Sequence, residues 1–132
     1  MNMHKNTFPL KEHLKSKRVI DRLYAEGTSV TAFPLRAVFI EQLPEEQETT
    51  ATILINVAKR RFRHAVDRNL LKRRIREAYR TGKHTFIDTL AKNNRKMAVA
   101  IMYIDTKKSS TDFLCRKMDK LLQNIIAKSG LQ

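Results

Sequence analysis

Residues 59–80 read KRRFRHAVDRNLLKRRIREAYR. At about 100° per residue, helical geometry puts Arg68, Lys72, Arg76 and Arg80 on one ridge, with Asn69 and Arg73 beside it. Leu70, Leu71, Ile75 and Ala78 fall on the other side, so the segment predicts a helix that packs its aliphatic face on a sheet and turns a cationic ridge outward. Arg74 projects near the apolar arc, where its stem can lie along the core edge while its head stays in water. Residues 59–84 hold eleven Lys or Arg against Asp67 and Glu77, so nine of the fourteen net positive charges sit there. Like charges four residues apart repel by a few tenths of a kcal/mol per pair. The acidic partners that would neutralise a merely solvated helix are mostly missing, which points to a polyanionic partner.

The flanking elements follow from period and punctuation. Residues 34–40 and 50–58 are rich in β-branched and aliphatic side chains and have strand length. The acidic loop between them carries Pro44, and the two runs read as an antiparallel hairpin. Thr28, Ser29 and Val30 add a short strand before it. Leu14, Val19, Ile20, Leu23 and Tyr24 recur at helical spacing and stop before Gly27, a natural helix end. After the basic helix, Gly82 marks its end and residues 85–91 form a short helical connection. Residues 97–104 are nearly continuously apolar, as in a strand buried on both faces. Ser109, Ser110, Thr111 and Asp112 then offer caps for a last helix, with Leu114, Met118, Leu121, Leu122 and Ile125 on its apolar face. The order is αβββαβα, an α/β sandwich in which the basic helix links two strands.

A chain of 132 residues with 42% hydrophobic content supports one domain with a single modest core. We place a flexible arm at residues 1–13, the domain at 14–128 and a tail at 129–132. A net charge of +14 opposes folding by self-repulsion unless an anion is at hand, so nucleic acid leads as partner and an anionic membrane surface comes second. A single cysteine, Cys115, excludes an internal disulfide and a Cys-rich zinc cluster, and suits a reducing compartment. The apolar runs fall far short of the roughly 20 residues of a membrane span, and no signal-peptide pattern opens the chain. A cytoplasmic protein without a membrane role is expected.

No hydrolytic constellation stands out. His4, His13, His64 and His84 lack the spacing of a metal site. Glu45, Glu46 and Glu48 share one loop and read as solvation, and Cys115 reads as a small core residue. No catalytic residue and no metal ligand is assigned to the chain itself.

The basic block resembles the signature of the bacterial ribonuclease P protein component: Ala65, then Arg68-Asn69, Lys72-Arg73 and Arg76-Glu77 on successive turns. The run from Asn56 to Arg60 resembles the family's strand end and basic turn, and Gly27-Thr28-Ser29 its turn after the first helix. The resemblance spans roughly residues 14–125. It implies an αβββαβα sandwich like the second domain of ribosomal protein S5, with a left-handed βαβ crossover through the basic helix, although connections of this kind are generally right-handed. It also implies a subunit that assists a catalytic RNA in Mg²⁺-dependent removal of 5′ leaders from precursor tRNA. The partners implied are that RNA, at one protein per RNA, and precursor tRNA. Mg²⁺ would be held mainly by RNA, with none bound tightly by the protein alone. A structural RNA-binding protein of ribosomal type is the alternative.

By the same resemblance, Lys59, Arg60, Arg63, Arg68, Asn69, Lys72, Arg73 and Arg76 would contact the catalytic RNA. Asn69 has two readings, an RNA contact or a brace for a neighbouring loop. Ile20, Tyr24, Arg36, Val38 and Asn56 would line a cleft for the single-stranded leader. Alternation puts Arg36 and Val38 on one face of their strand and Leu35, Ala37 and Phe39 on the other. Ile20 and Val38 stand where the family often has aromatics, which weakens base stacking, and core packing is their competing assignment.

Overall fold

The computed structural model describes residues 8–131; the start of the expected arm, residues 1–7, and the last residue lie outside the described residues. The first helix, α1 (Lys17–Glu26), begins where Ser16 caps it by accepting a hydrogen bond from the Val19 amide at 3.3 Å. Leu14 therefore precedes the helix instead of belonging to it, and its amide donates to the Ile53 carbonyl at 2.9 Å. α1 stops at Gly27, where the chain runs hard against the sheet. A Cβ at Gly27 would lie 2.3 Å from the Leu23 carbonyl oxygen and 2.4 Å from Val38 Cγ1, so only glycine allows this approach.

Four strands follow the expected order in the chain, with β1 (Thr28–Ala32), β2 (Leu35–Gln42) and β3 (Ala51–Val57) before the basic helix α2 (Ala65–Gly82). A second, shorter helix, α3 (His84–Lys92), leads to β4 (Lys96–Tyr103), and α4 (Thr111–Lys128) closes the chain. Ser110 caps α4 by accepting from the Phe113 amide at 3.2 Å, as its sequence predicts.

The pairing corrects one expectation. β2 and β3 do not form a hairpin: the sheet order is β1-β2-β4-β3, with β2 antiparallel and β3 parallel to β4. β4 takes the centre because Met97 to Ile101 are fully buried, so both of its faces require cover and both of its edges require partners. The hairpin partner of β2 is β1. The loop between β2 and β3 reaches over the start of β4, where Gln47 Nε2 donates to the Met97 carbonyl at 2.8 Å and Lys96 Nζ to the Pro44 carbonyl at 3.0 Å.

Two apolar clusters replace the single core expected from composition. Leu35, Ala37 and Phe39 of β2 join Val99 and Ile101 of β4 against Leu71 and Ile75 of α2 and Leu114, Met118 and Leu121 of α4. On the opposite face, Val38, Ile40, Ala98 and Ala100 pack with Leu14 and Leu23, beneath α1. The alternation read from β2 is thus correct, but both of its faces carry core.

Candidate nucleic-acid interface

α2 is fixed along two of its flanks. Leu71, Ile75, Ala78 and Tyr79 are buried, and the side toward α4 is tied by Lys108 to Asp67 at 2.6 Å and by Arg74 Nη1 to the Ser109 carbonyl at 2.7 Å. Arg74 therefore behaves as its awkward position predicts, with a half-buried stem and a head hydrogen-bonded at the core edge. The remaining surface presents Asn69, Arg73 and Arg76 exposed and Lys72 half-buried. Among the described residues, these four side chains make no hydrogen bond or ion pair.

The ends of the ridge are different. Arg68 turns back on its own chain and donates to the carbonyls of Phe62 and Arg63 at 2.8 and 2.9 Å, which clamps the loop ahead of α2. Arg80 pairs with Glu77 at 2.5 Å. Both acids of the segment are engaged: Lys108 holds the Asp67 carboxyl below the usual range by a hydrogen bond, and Arg80 does the same for Glu77. The charges of Lys72, Arg73 and Arg76 consequently stand uncompensated. In the loop ahead of the helix, Phe62 is buried against the Tyr103 ring and Arg61 donates to the Ile104 carbonyl at 3.0 Å. These anchors leave Lys59, Arg60 and Arg63 exposed, and none of their side chains has a partner among the described residues.

The other face of the sheet carries the second candidate surface. Arg22 fastens one flank of α1 to the end of β2 by donating to Gln42 Oε1 at 3.1 Å. Ile20 and Tyr24, four residues apart, share the side of the helix opposite Arg22, Ile20 against the apolar cluster beneath α1 and Tyr24 exposed. The strand register aligns Ser29, Val38, Ala100 and Leu54 in one row and Thr31, Arg36, Met102 and Asn56 in the next. Arg36 is exposed and oriented by a 2.9 Å hydrogen bond from Nε to Ser29 Oγ; Asn56 and Tyr24 are exposed as well. Partial burial raises the Tyr24 phenol above its ordinary pKa, so it remains a neutral ring and donor at physiological pH.

Of the five expected cleft residues, three are thus presented on an open surface. Val38 is buried beneath α1, and Ile20 is half-buried against the same cluster. At the β3 edge a cavity of about 250 Å³ is lined by Phe8, His13, Leu14 and Lys15 of the N-terminal segment together with Leu54, Ile55 and Arg76.

The arm is where sequence reasoning missed most. Residues 8–13, expected in a flexible arm, lie against the fold: Phe8 stacks on His13 at 4.1 Å, and His13 forms a parallel bridge with Ile53. Glu12 pairs with Lys83 at 2.6 Å, both largely buried. Phe8 and Leu10 are the apolar residues of an otherwise polar, proline-punctuated stretch, and nothing local in the sequence separates Lys83 from the exposed cations of the basic segment. No group of three or more His, Cys, Asp or Glu side chains converges among the described residues. The carboxylates of α2, already bonded to cations, do not fit Mg²⁺, which needs several free oxygen ligands. No described helix is long and apolar enough to cross a membrane.

A family model described as Ribonuclease P matches residues 8–126. Among curated proteins, a ribonuclease P protein component of Porphyromonas gingivalis is 34% identical over 114 residues, covering 86% of this chain and 82% of the relative. One from Chlorobium phaeobacteroides is 28% identical over 93% of this chain and 90% of its own length. Solved structures of ribonuclease P proteins share the fold. That of Staphylococcus aureus aligns with a TM-score of 0.68 at 20% identity, covering 86% of this chain and 94% of its own. That of Thermotoga maritima aligns with 0.66 at 19%, covering 86% and 96%.

Proposed function

The chain belongs to the ribonuclease P protein family, and on that premise we propose that it binds the catalytic RNA through α2 and grips the 5′ leader of precursor tRNA on its open sheet face. Membership makes it a component of an endoribonuclease holoenzyme whose partner is the ribonuclease P RNA. The finer reading is that one copy joins each RNA in the cytoplasm, and that hydrolysis of the phosphodiester belongs to the RNA and its Mg²⁺. Mg²⁺ held by the RNA would supply an activated water and stabilisation of the leaving oxygen. This chain's residues position the two RNAs and neutralise phosphate crowding where they meet.

The observation that supports the proposal is that two separate surfaces carry different chemistry. Lys59, Arg60, Arg63, Lys72, Arg73 and Arg76 have no protein partner among the described residues, so their charge is free to release counterions from a structured RNA. Arg side chains bridge phosphate oxygens in pairs, while Lys72 acts as a point charge. Tyr24, Arg36 and Asn56 instead supply an exposed ring, cation and amide, the kinds of group by which splayed-out bases of single-stranded RNA are recognised.

Reconstitution tests this reading. The purified chain alone is expected to leave precursor tRNA intact, and to restore 5′ maturation by the catalytic RNA at Mg²⁺ concentrations where the RNA alone is nearly inactive. Absence of stimulation would overturn it.

A further inference from the structure

Tyr24 and Phe33 are the two exposed aromatic side chains among the described residues, at 49% and 56%. Phe33 lies in the two-residue turn between β1 and β2, joined to Pro34 by a cis peptide bond. A single exposed apolar residue is common and means little by itself. What sets Phe33 apart is its place.

The turn closes at the pair Ala32 and Leu35, one step beyond the row of Thr31, Arg36, Met102 and Asn56. Phe33 therefore stands at the end of the open sheet face away from α1. Its backbone is held: Pro34 and Leu35 are buried, and the Pro34 carbonyl accepts from the Ile104 amide at 2.8 Å. The Ile104 carbonyl in turn accepts from Arg61, in the loop that carries Arg60 and Arg63 to the start of α2. The turn thus sits where the sheet face meets the cationic loop. The Phe33 ring stacks on no aromatic and receives no cation among the described residues. A ring presented from a fixed turn loses little freedom on binding.

We infer that Phe33 is a second stacking platform for single-stranded RNA, receiving a base of the strand that passes from Tyr24 across Arg36 toward the α2 loop. The inference rests on the reading of the sheet face as the leader site. Val38 and Ile20 offer no ring there, so stacking is divided between Tyr24 at one end and Phe33 at the other. From the Val38 row to the closing pair is three residues, about 10 Å along the strand. Arg36 lies between that row and the turn, placed to meet the phosphates.

The chain contains no tryptophan, so Phe33→Trp creates a sole fluorescent reporter in the assembled holoenzyme. Its emission is expected to be quenched by leader-bearing precursor tRNA and left unchanged by 5′-mature tRNA. Phe33→Ala is expected to weaken precursor binding about tenfold relative to mature tRNA. Because stacking releases no counterions, the salt dependence of binding should stay the same. Phe33→Tyr should restore the affinity. Unquenched emission with precursor, equal quenching by both tRNAs, or an unchanged precursor preference in Phe33→Ala would overturn the inference. If the unsubstituted holoenzyme itself shows no preference for precursor, the leader-site reading fails as well; if it does and Phe33→Ala matches it, only the role of Phe33 fails.

Discussion

Tyr79 is fully buried on α2, and its hydroxyl has no hydrogen-bond partner among the described residues. Its ring lies 5.3 Å from Phe8, with Lys83 Nζ 5.9 Å from its centroid, so the packing uses the ring and leaves the oxygen idle. Burial pushes the phenol far above its ordinary pKa, and it stays neutral at any physiological pH. A buried hydroxyl without a partner costs about 1–3 kcal/mol. Tyr79→Phe is therefore expected to raise stability by about 1 kcal/mol in a thermal or denaturant melt; a clear loss would reveal a hydrogen bond to this oxygen. Single residues were legible in the sequence where local geometry decides them. Gly27 ended its helix and Arg74 kept its stem at the core edge as spacing required. Tyr79 and Lys83 were not legible, because their surroundings come from the N-terminal segment, far away in the chain.

At the scale of the element, α2 shows what periodicity can and cannot reveal. Spacing identified its aliphatic face and placed Lys72, Arg73 and Arg76 outward, but it treated Arg68 as their equal. A helical wheel gives direction without showing which carbonyls wait there, and Arg68 meets those of Phe62 and Arg63. The two kinds of cation are separable by experiment. A Lys72→Ala, Arg76→Ala double variant is expected to melt within about 0.5 kcal/mol of the parent, as surface substitutions usually do. Its log affinity for the catalytic RNA should depend less steeply on log salt, by about one to two units of slope. Arg68→Ala should lose stability by about 1–2 kcal/mol as the loop is unclamped. An unchanged salt slope in the double variant would remove the ridge from the RNA surface. The strand pairing was hidden for a related reason. Neighbours in sequence suggested a hairpin of β2 with β3, whereas the double burial of β4 reserved the place between them.

Across the whole molecule, one sheet separates two surfaces of different chemistry. α2 stands with α3 and α4 on the face that holds the larger cluster, and α1 leaves part of the opposite face open. Nine of the fourteen net positive charges belong to residues 59–84, which build the first surface, and the exposed Tyr24 belongs to the helix that flanks the second. The first was legible from charge and period alone. The second was expected only from family resemblance, because a cleft is formed by residues that no spacing rule joins, and burial of Val38 depends on how closely Gly27 lets α1 approach. The division of labour between these surfaces is tested most directly by one quantity: the ratio of holoenzyme Kd values for 5′-mature and precursor tRNA, measured at saturating protein with Tyr24→Ala beside the parent. The ratio is expected to fall about tenfold toward one, at unchanged affinity of the protein for the catalytic RNA. Equal weakening toward both tRNAs, or weakened binding to the catalytic RNA, would contradict a leader site separate from the assembly surface.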